Sequence, residues 1–342
     1  MEPALLENKD GRGVVTLTMN RPANFNALGE EMLAAFQAAL ARVAQDESAR
    51  VVVIAAAGKA FCPGHNLKEM IATPQLAYYQ KIFAQCSRVM LAIQKLPVPV
   101  IARVQGIATA AGCQLVAQCD LAVAAEGASF GVNGIDVGLF CATPSVPLVR
   151  NMPAKQAMEM LLTGEFITAD EARARGLVNR VVPLEALDAE IEKLLQSLLS
   201  KPREALAMGK ALFYQQRETG IEAAYQLAGQ SMARNMAAKQ AMEMLVTGDF
   251  ISAQQALERG LVNRVAAPDE LDAELDKLVA SILQKPRAAL AMGKELFYAQ
   301  REMGIEAAYQ LAGQTMAVNM MDHCAQEGVT AFTEKRKPSW KA

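Results

Sequence analysis

One segment of the chain occurs twice. KQAMEMLLTG at Lys155 returns as KQAMEMLVTG at Lys239, RGLVNRV at Arg175 returns at Arg259, and KPREALAMGKALFY at Lys201 returns as KPRAALAMGKELFY at Lys285. IEAAYQLAGQ at Ile221 returns at Ile305, so the offset is constant at about 84 residues and about 70% of paired positions are identical. Solenoids need roughly three or more repeats to close a core, so two long, near-identical units point to duplication of one segment. Without one unit about 258 residues remain, enough for a complete domain.

The rest of the composition fits a soluble globular chain. Of 342 residues 52% are hydrophobic, and Lys+Arg 34 stand against Asp+Glu 36 for a net charge of -2. That balance gives no general attraction for nucleic acid or anionic membranes, which need clustered positive charge. No apolar run reaches the roughly 20 residues of a membrane helix, and MEPALLENKDGRG lacks the basic-then-apolar order of a secretory signal. Six cysteines without a CxxC pair and only two histidines, His65 and His323, make no zinc spacing; reduced, mostly buried thiols and a cytoplasmic location are expected, with no metal.

Ahead of the repeat, short β-rich runs alternate with helical patterns, the mark of an α/β chain with a mainly parallel sheet. Val14–Asn20 and Val51–Ala57 read as strands around a helix from about Glu30 to Gln45, and a second helix covers Gln75 to Leu96. VPVIARVQG, LAVAAE and ASFGV give three more strands, the first two separated by a helix that begins near Gly106 to Gln114. The repeated unit reads as nearly all helix: Lys155 to Leu162, Ala169 to Arg175, Leu184 to Ser200, Pro202 to Gln216 and Ile221 to Asn235, with one strand at Val178 to Val182. Four segments follow: a core over 1–152, one helical copy over 153–236, a second over 237–320, and a tail helix over 321–342. One copy is expected to pack in the normal place and the other to extend an assembly surface.

Two glycine-bearing turns come directly after strands: GKAFCPGHNLKEM, Gly58 to Met70, and VQGIATAAGCQL, Val104 to Leu115. Small residues there let backbone N–H groups approach a ligand, and two such turns can build an oxyanion hole; the same residues also suit close helix packing. Together with RPANFNAL, GLVNRVV and EGVTAFTEKRKPSW, these motifs, in this order, resemble the enoyl-CoA hydratase/isomerase, or crotonase, family. The resemblance implies a crotonase spiral of ββα units followed by an α-helical C-terminal region, here duplicated, usually assembled as trimers or hexamers. It implies acyl-CoA thioester substrates, with coenzyme A as part of the substrate and no other cofactor. The backbone N–H groups of His65 and Ala111 would hold the thioester carbonyl. Asn24, Phe25, Ala27, Ala60, His65, Asn66 and Leu67 would contact the CoA moiety, and Phe332 and Lys335 its nucleotide end; Lys335 also reads as a solvated helix end.

Two departures bear on the chemistry. Hydratases of the family use one glutamate on the helix after the second turn and another on the following FGxxE segment; the matching positions here are Gln114 and Gly134. Neither can exchange a proton, and each lost acid/base group costs about 100- to 10,000-fold in rate. Asp136 is a candidate substitute, with turn-capping or an ion pair as its other reading. Cys141 is either a thiolate at a helix start or a buried inert thiol, and His65 has a candidate side-chain role. The resemblance therefore implies a nominal hydratase or isomerase of weak or altered activity. A non-catalytic acyl-CoA-binding or assembly protein, and acyl-CoA hydrolysis, are the alternatives. Glutamate restored at both Gln114 and Gly134 should raise hydration if the pocket is otherwise competent.

Overall fold

The computed structural model describes residues 2–220, 222–226, 252–258, 262–301 and 303–339. An unbroken apolar run such as VVVIAA is stable as a strand only when both of its faces are covered. It forms β3 (Val51–Ala56), buried along its whole length, in a six-stranded sheet. The other members are β1 (Leu5–Lys9), β2 (Val14–Met19), β4 (Val100–Val104), β6 (Leu121–Ala125) and β9 (Arg180–Val182), in the order β1-β2-β3-β4-β6-β9. All neighbours are parallel except β1 with β2; Val14 pairs with Val51, Val52 with Val100 and Ala102 with Ala122.

One face of the sheet is covered by the amphipathic α1 (Glu30–Gln45) and α3 (Leu76–Lys95), which bury Leu33, Phe36, Leu40, Ile82, Phe83 and Val89. The other is covered by α8 (Leu187–Leu199), whose Leu187, Ile191, Leu194 and Leu195 lie on Val14, Val51, Val53, Ile101 and Val123. Full burial of each such side chain contributes about 1.5–3 kcal/mol. A smaller sheet of β5 (Ala108–Thr109), β7 (Ser129–Gly131) and β8 (Ile167–Thr168) lies beside the first.

The helix of the second turn, α4 (Ala111–Gln118), starts at Ala111 after β5, later than the pattern predicts. The short α2 (Leu67–Ala72), N-capped by the Asn66 side chain, and α5 (Ala142–Asn151) are additional elements. Pro144 and Pro147 mark α5 as a break in sequence terms. Pro144, however, sits in the first turn, where its missing N–H has no helical partner to lose, and burial of Ala142, Val146 and Leu148 sustains the helix past Pro147.

Neither copy of the repeat packs as a whole. From the first copy, α6 (Ala154–Thr163), α7 (Ala169–Ala174) and α8 bury residues on the core, followed by α9 (Arg203–Gln216). The second supplies α10 (Ala253–Glu258), α11 (Leu271–Leu283), α12 (Arg287–Arg301) and α13 (Ile305–Met321), and the tail is α14 (His323–Thr333). α13 lies on α3 and α5 and buries Tyr309, Ala312 and Met316, whereas Tyr225, the first-copy counterpart of Tyr309, is exposed. α11 and α9 have no fully buried residue, although α11 repeats α8. The expectation that one copy sits in place and the other outside it is therefore corrected. The repeat's sites on the core are shared between the copies, because each site holds one helix and the two sequences fit it equally. The predicted helix over Ile221 to Asn235 and the residues repeating Lys155–Leu162 lie largely outside the described residues.

α9 is fixed by polar contacts. Lys210 Nζ pairs with Asp120 Oδ2 at 2.6 Å and donates to the carbonyls of Ile93 and Val98, and the Tyr214 hydroxyl donates to Asp120 Oδ1 at 2.8 Å. Among the described residues no helix is long and apolar enough to cross a membrane, and no group of three or more His, Cys, Asp and Glu could hold a metal ion.

Candidate functional site

The two turns are joined along their backbones. Cys62 N donates to the Ile107 carbonyl at 3.1 Å, Thr109 N donates to the Cys62 carbonyl at 2.9 Å, and Ala110 N donates to Gly131 at 2.9 Å. The approach is so close that a Cβ on Gly112 would lie 2.1 Å from the Cys62 carbonyl oxygen. Gly64, at φ +102, lies with its Cβ direction 2.9 Å from Ala110 Cβ and 3.2 Å from Ala111 N, which sets the two turns side by side. Ala110 itself takes φ 49, a conformation that costs a non-glycine residue roughly 1–3 kcal/mol and is held by the bonds on either side of it.

This geometry frees two backbone donors. Leu28 forms a parallel bridge with His65 through Leu28 N to the Gly64 carbonyl, 2.8 Å, and Asn66 N to the Leu28 carbonyl, 3.4 Å, a pattern that leaves the N–H of His65 unused. Ala111 is the first residue of α4, so its N–H has no intrahelical acceptor. Neither N–H has an acceptor among the described residues.

One turn further along α4, Gln114 is 0% exposed, and neither its amide nitrogen nor its amide oxygen has a hydrogen-bond partner. An amide buried in that state costs about 1–3 kcal/mol per unsatisfied group unless something else occupies its bonds. Its polar neighbour is Tyr309, whose hydroxyl donates to Gln118 Oε1 and whose ionisation burial pushes well above the usual phenol range. The His65 ring stands edge-on to Phe83 at 5.3 Å, its Nδ1 lies 3.2 Å from the Leu28 carbonyl, and its buried Nε2 is unpartnered. Burial lowers its pKa from 6.5 to about 4, so the imidazole is neutral. A neutral ring can exchange a hydrogen bond with a ligand but offers no charge to it.

The other acid/base candidates are engaged or blocked. Gly134 lies in the 3₁₀ turn Asn133–Val137, and a Cβ there would sit 2.4 Å from the Leu139 carbonyl oxygen and 2.8 Å from Cys141 Sγ. A glutamate at this position would force the Leu139 backbone or the Cys141 side chain to move, a steric obstacle to restoring the pair. Asp136 faces Gly164 and pairs with Lys285 Nζ at 2.5 Å, the ion-pair reading of that residue. Cys141 is fully buried and its thiol is pushed up to about 12 by desolvation, the inert reading.

Asn24 and Phe25 are exposed at the rim of the first turn, Phe25 at φ 53 with Lys59 Nζ 5.7 Å above its ring. Ala27, His65, Asn66 and Leu67 are half-buried around the same bend, and Ala60 is buried. Phe332 and Lys335 are exposed at the end of α14, which rests on α2 and the Asn133–Val137 turn. Two residues that position the turn are further finds. Asn26, fully buried at φ 65, accepts from Arg21 N and donates to the carbonyls of Ala57 and Ala60. Gln105 donates to the carbonyls of Ala56, Gly58 and Ala60. The signal for Asn26 is its residue type, since asparagine tolerates left-handed backbone and binds nearby peptide groups; Gln105 carries none.

An α/β core that sets two glycine-bearing turns edge to edge, with spare N–H groups at their junction, belongs to the enoyl-CoA hydratase/isomerase family. That family's model matches residues 9–232 and again 214–342. The chain is 42% identical over 242 residues, 71% of this chain and 81% of the relative, to mitochondrial enoyl-CoA hydratase domain-containing protein 3 of Rattus norvegicus. It superposes on an enoyl-CoA hydratase of Mycobacterium smegmatis with TM-score 0.68 and 62% identity, over 72% of this chain and 96% of that one. The human enoyl-CoA hydratase domain-containing protein 3 matches with TM-score 0.66 and 39% identity, over 72% and 98%. The names of the animal relatives overturn the cytoplasmic expectation. Buried, reduced thiols and a near-neutral charge are equally suited to the mitochondrial matrix, so composition could not separate the two compartments.

Proposed function

We propose that this protein binds an acyl-CoA thioester, with the thioester carbonyl held by the N–H groups of His65 and Ala111. The observation that carries the reading is the pair of unused donors where the two turns meet. Two such donors favour developing negative charge on the thioester oxygen, each contributing roughly 3–4 kcal/mol where comparable holes have been dissected. Asn24, Phe25, Ala27, Ala60, Asn66 and Leu67 lie along the CoA path, with Phe332 and Lys335 toward its nucleotide end. The substrate brings coenzyme A with it and no further cofactor is required.

Gln114 and Gly134 take the positions of the family's paired glutamates, so a water at the β-carbon meets an amide and a glycine. Hydration is then slow, by about 100- to 10,000-fold for each missing group. A protein retained for binding, without turnover, is favoured by the lowered pKa of His65, which makes its imidazole a weak base, and by the Asp136–Lys285 pair, which occupies that carboxylate. The test is crotonyl-CoA with purified protein: loss of the conjugated thioester absorbance, and affinity from competition against a fluorescent CoA ester. Binding with little turnover is the expected result. Absence of binding by any acyl-CoA would sink the proposal, and hydratase-level turnover would sink the part assigned to Gln114 and Gly134.

A further inference from the structure

α11 repeats α8 along one stripe. Leu187, Ile191, Leu195 and Leu199 return as Leu271, Leu275, Val279 and Leu283. In α8 the stripe is covered by the sheet; in α11 the four residues are 59%, 55%, 43% and 78% exposed. The opposite flank of α11 faces α6, held through Arg264, which reaches both Glu274 on α11 and Glu159 on α6. Four large apolar side chains at i, i+4, i+8 and i+12 on one open helix face are a docking surface in want of a partner.

Counting selects the partner. Each chain has one sheet face and two helices built to cover it. Exchange of α8 and α11 between neighbouring chains changes which stripe is uncovered and never the number uncovered. Every copy of the chain carries the same surplus stripe, so a second copy presents a surface that matches this one residue for residue. We infer that α11 is a seam joining two copies of this chain through a two-fold, antiparallel α11–α11 contact. Charge agrees with that direction: Asp269, Glu270, Asp272 and Asp276 crowd the first half of the helix, while the exposed Arg287 follows its end, Lys285 being already held by Asp136. Antiparallel pairing sets the acidic start of each helix toward Arg287 of the other and opposes their dipoles; parallel pairing would align acid with acid. Leu275 of each helix then meets Val279 of its mate. Four such side chains cover roughly 400 Å² per partner, about half of a standard interface, so the contact is weak, with a dissociation constant on the order of micromolar.

The experiment is sedimentation of the full chain from about 1 to 100 µM, the range that brackets such a constant, beside a variant carrying Leu275→Glu and Val279→Glu. Both substituted positions are exposed, so the variant should keep the parent's circular dichroism and melting midpoint. The mass of the parent assembly is expected to double across the range and that of the variant to stay constant. Disulfide formation between Leu275→Cys chains and Val279→Cys chains, and within neither set alone, fixes the antiparallel direction. A parent whose mass does not double overturns the inference, leaving residues 227–251 or an unrelated partner to cover the stripe. Doubling that survives in the variant overturns it too, and cross-linking of Leu275→Cys with itself overturns the antiparallel arrangement.

Discussion

Burial sets the His65 imidazole at odds with its chemistry in water. Its folded pKa, about 4, lies below the 6.5 it has when exposed, because burial penalises the charged ring. For a base with a depressed folded pKa the unfolded chain takes up the proton first, so stability is unaffected above pH 6.5 and falls as pH drops toward 4. Between pH 7 and pH 5 the loss should be about 2 kcal/mol. Urea unfolding at both pH values checks this against His65→Gln, which should lose about 2 kcal/mol less than the parent over that interval; equal losses would show that the ring is not buried neutral. Gly134 makes the second residue-scale prediction. With a carbonyl oxygen 2.4 Å from its would-be Cβ, even Gly134→Ala forces the turn or the Cys141 side chain to move, at a cost of about 1–3 kcal/mol. Gly134→Glu should therefore lower the melting temperature and bring no hydration, alone or with Gln114→Glu. A well-folded double variant that hydrates crotonyl-CoA would refute the steric account.

At the scale of elements, the repeat turns one sequence into two experiments. Leu187 and Leu271 occupy the same place in the repeat, yet one is wholly buried on the sheet and the other is open to solvent. Leu187→Ala should cost about 2–5 kcal/mol by cavity formation, and Leu271→Ala less than about 0.5 kcal/mol, both measured by denaturant unfolding. Comparable losses would mean that α11, too, covers a core. α9 offers a sharper case, since Lys210→Met strands the buried Asp120 carboxylate and should cost about 3–5 kcal/mol. These cases show where the sequence is legible. The β-rich apolar runs at Val14 and Val51 and the helical spacing over Gln75 to Leu96 encode their own elements, and the two turns could be located from their glycines. Which of two equal helices fills a single site is not written in either of them, because burial depends on which arrives and stays. Nor was α5 readable, since its prolines signal a break locally and its stability comes from α4 and α13 around it. At the site, the uncharged amide of Gln114 was plain, but the wall behind Gly134 is made by Leu139 and Cys141 and exists only in three dimensions.

For the molecule as a whole, the question is whether the duplication is woven into the fold or merely inserted in it. The end of α9 and the start of α13 meet: Glu218 Oε1 accepts from Ile305 N at 2.8 Å, although the two residues are separated by slightly more than one whole repeat in sequence. Gly220 precedes Ile221 as Gly304 precedes Ile305, so excising residues 221–304 rejoins TG to IEAAYQ, as at the first-copy junction. The excised chain keeps both turns, the sheet, α8 on its face, α9 on Asp120 and α13 on α3. It loses α10, α11 with its open stripe, and α12, whose Leu296 and Phe297 are buried in the core. Loss of α11 should cost little, and loss of α12 costs more. The second exposes part of α5, strips Arg150 of its bonds to Gln300, and lowers stability by about 3–6 kcal/mol from Leu296 and Phe297 alone. The expected product is a folded protein of about 258 residues with the parent's affinity for acyl-CoA and without the concentration-dependent doubling assigned to α11. Affinity by CoA-ester competition and mass by sedimentation test both halves at once. If the excised chain folds but no longer binds, α12 contributes to the ligand site. If it fails to fold, the second copy has become part of the core.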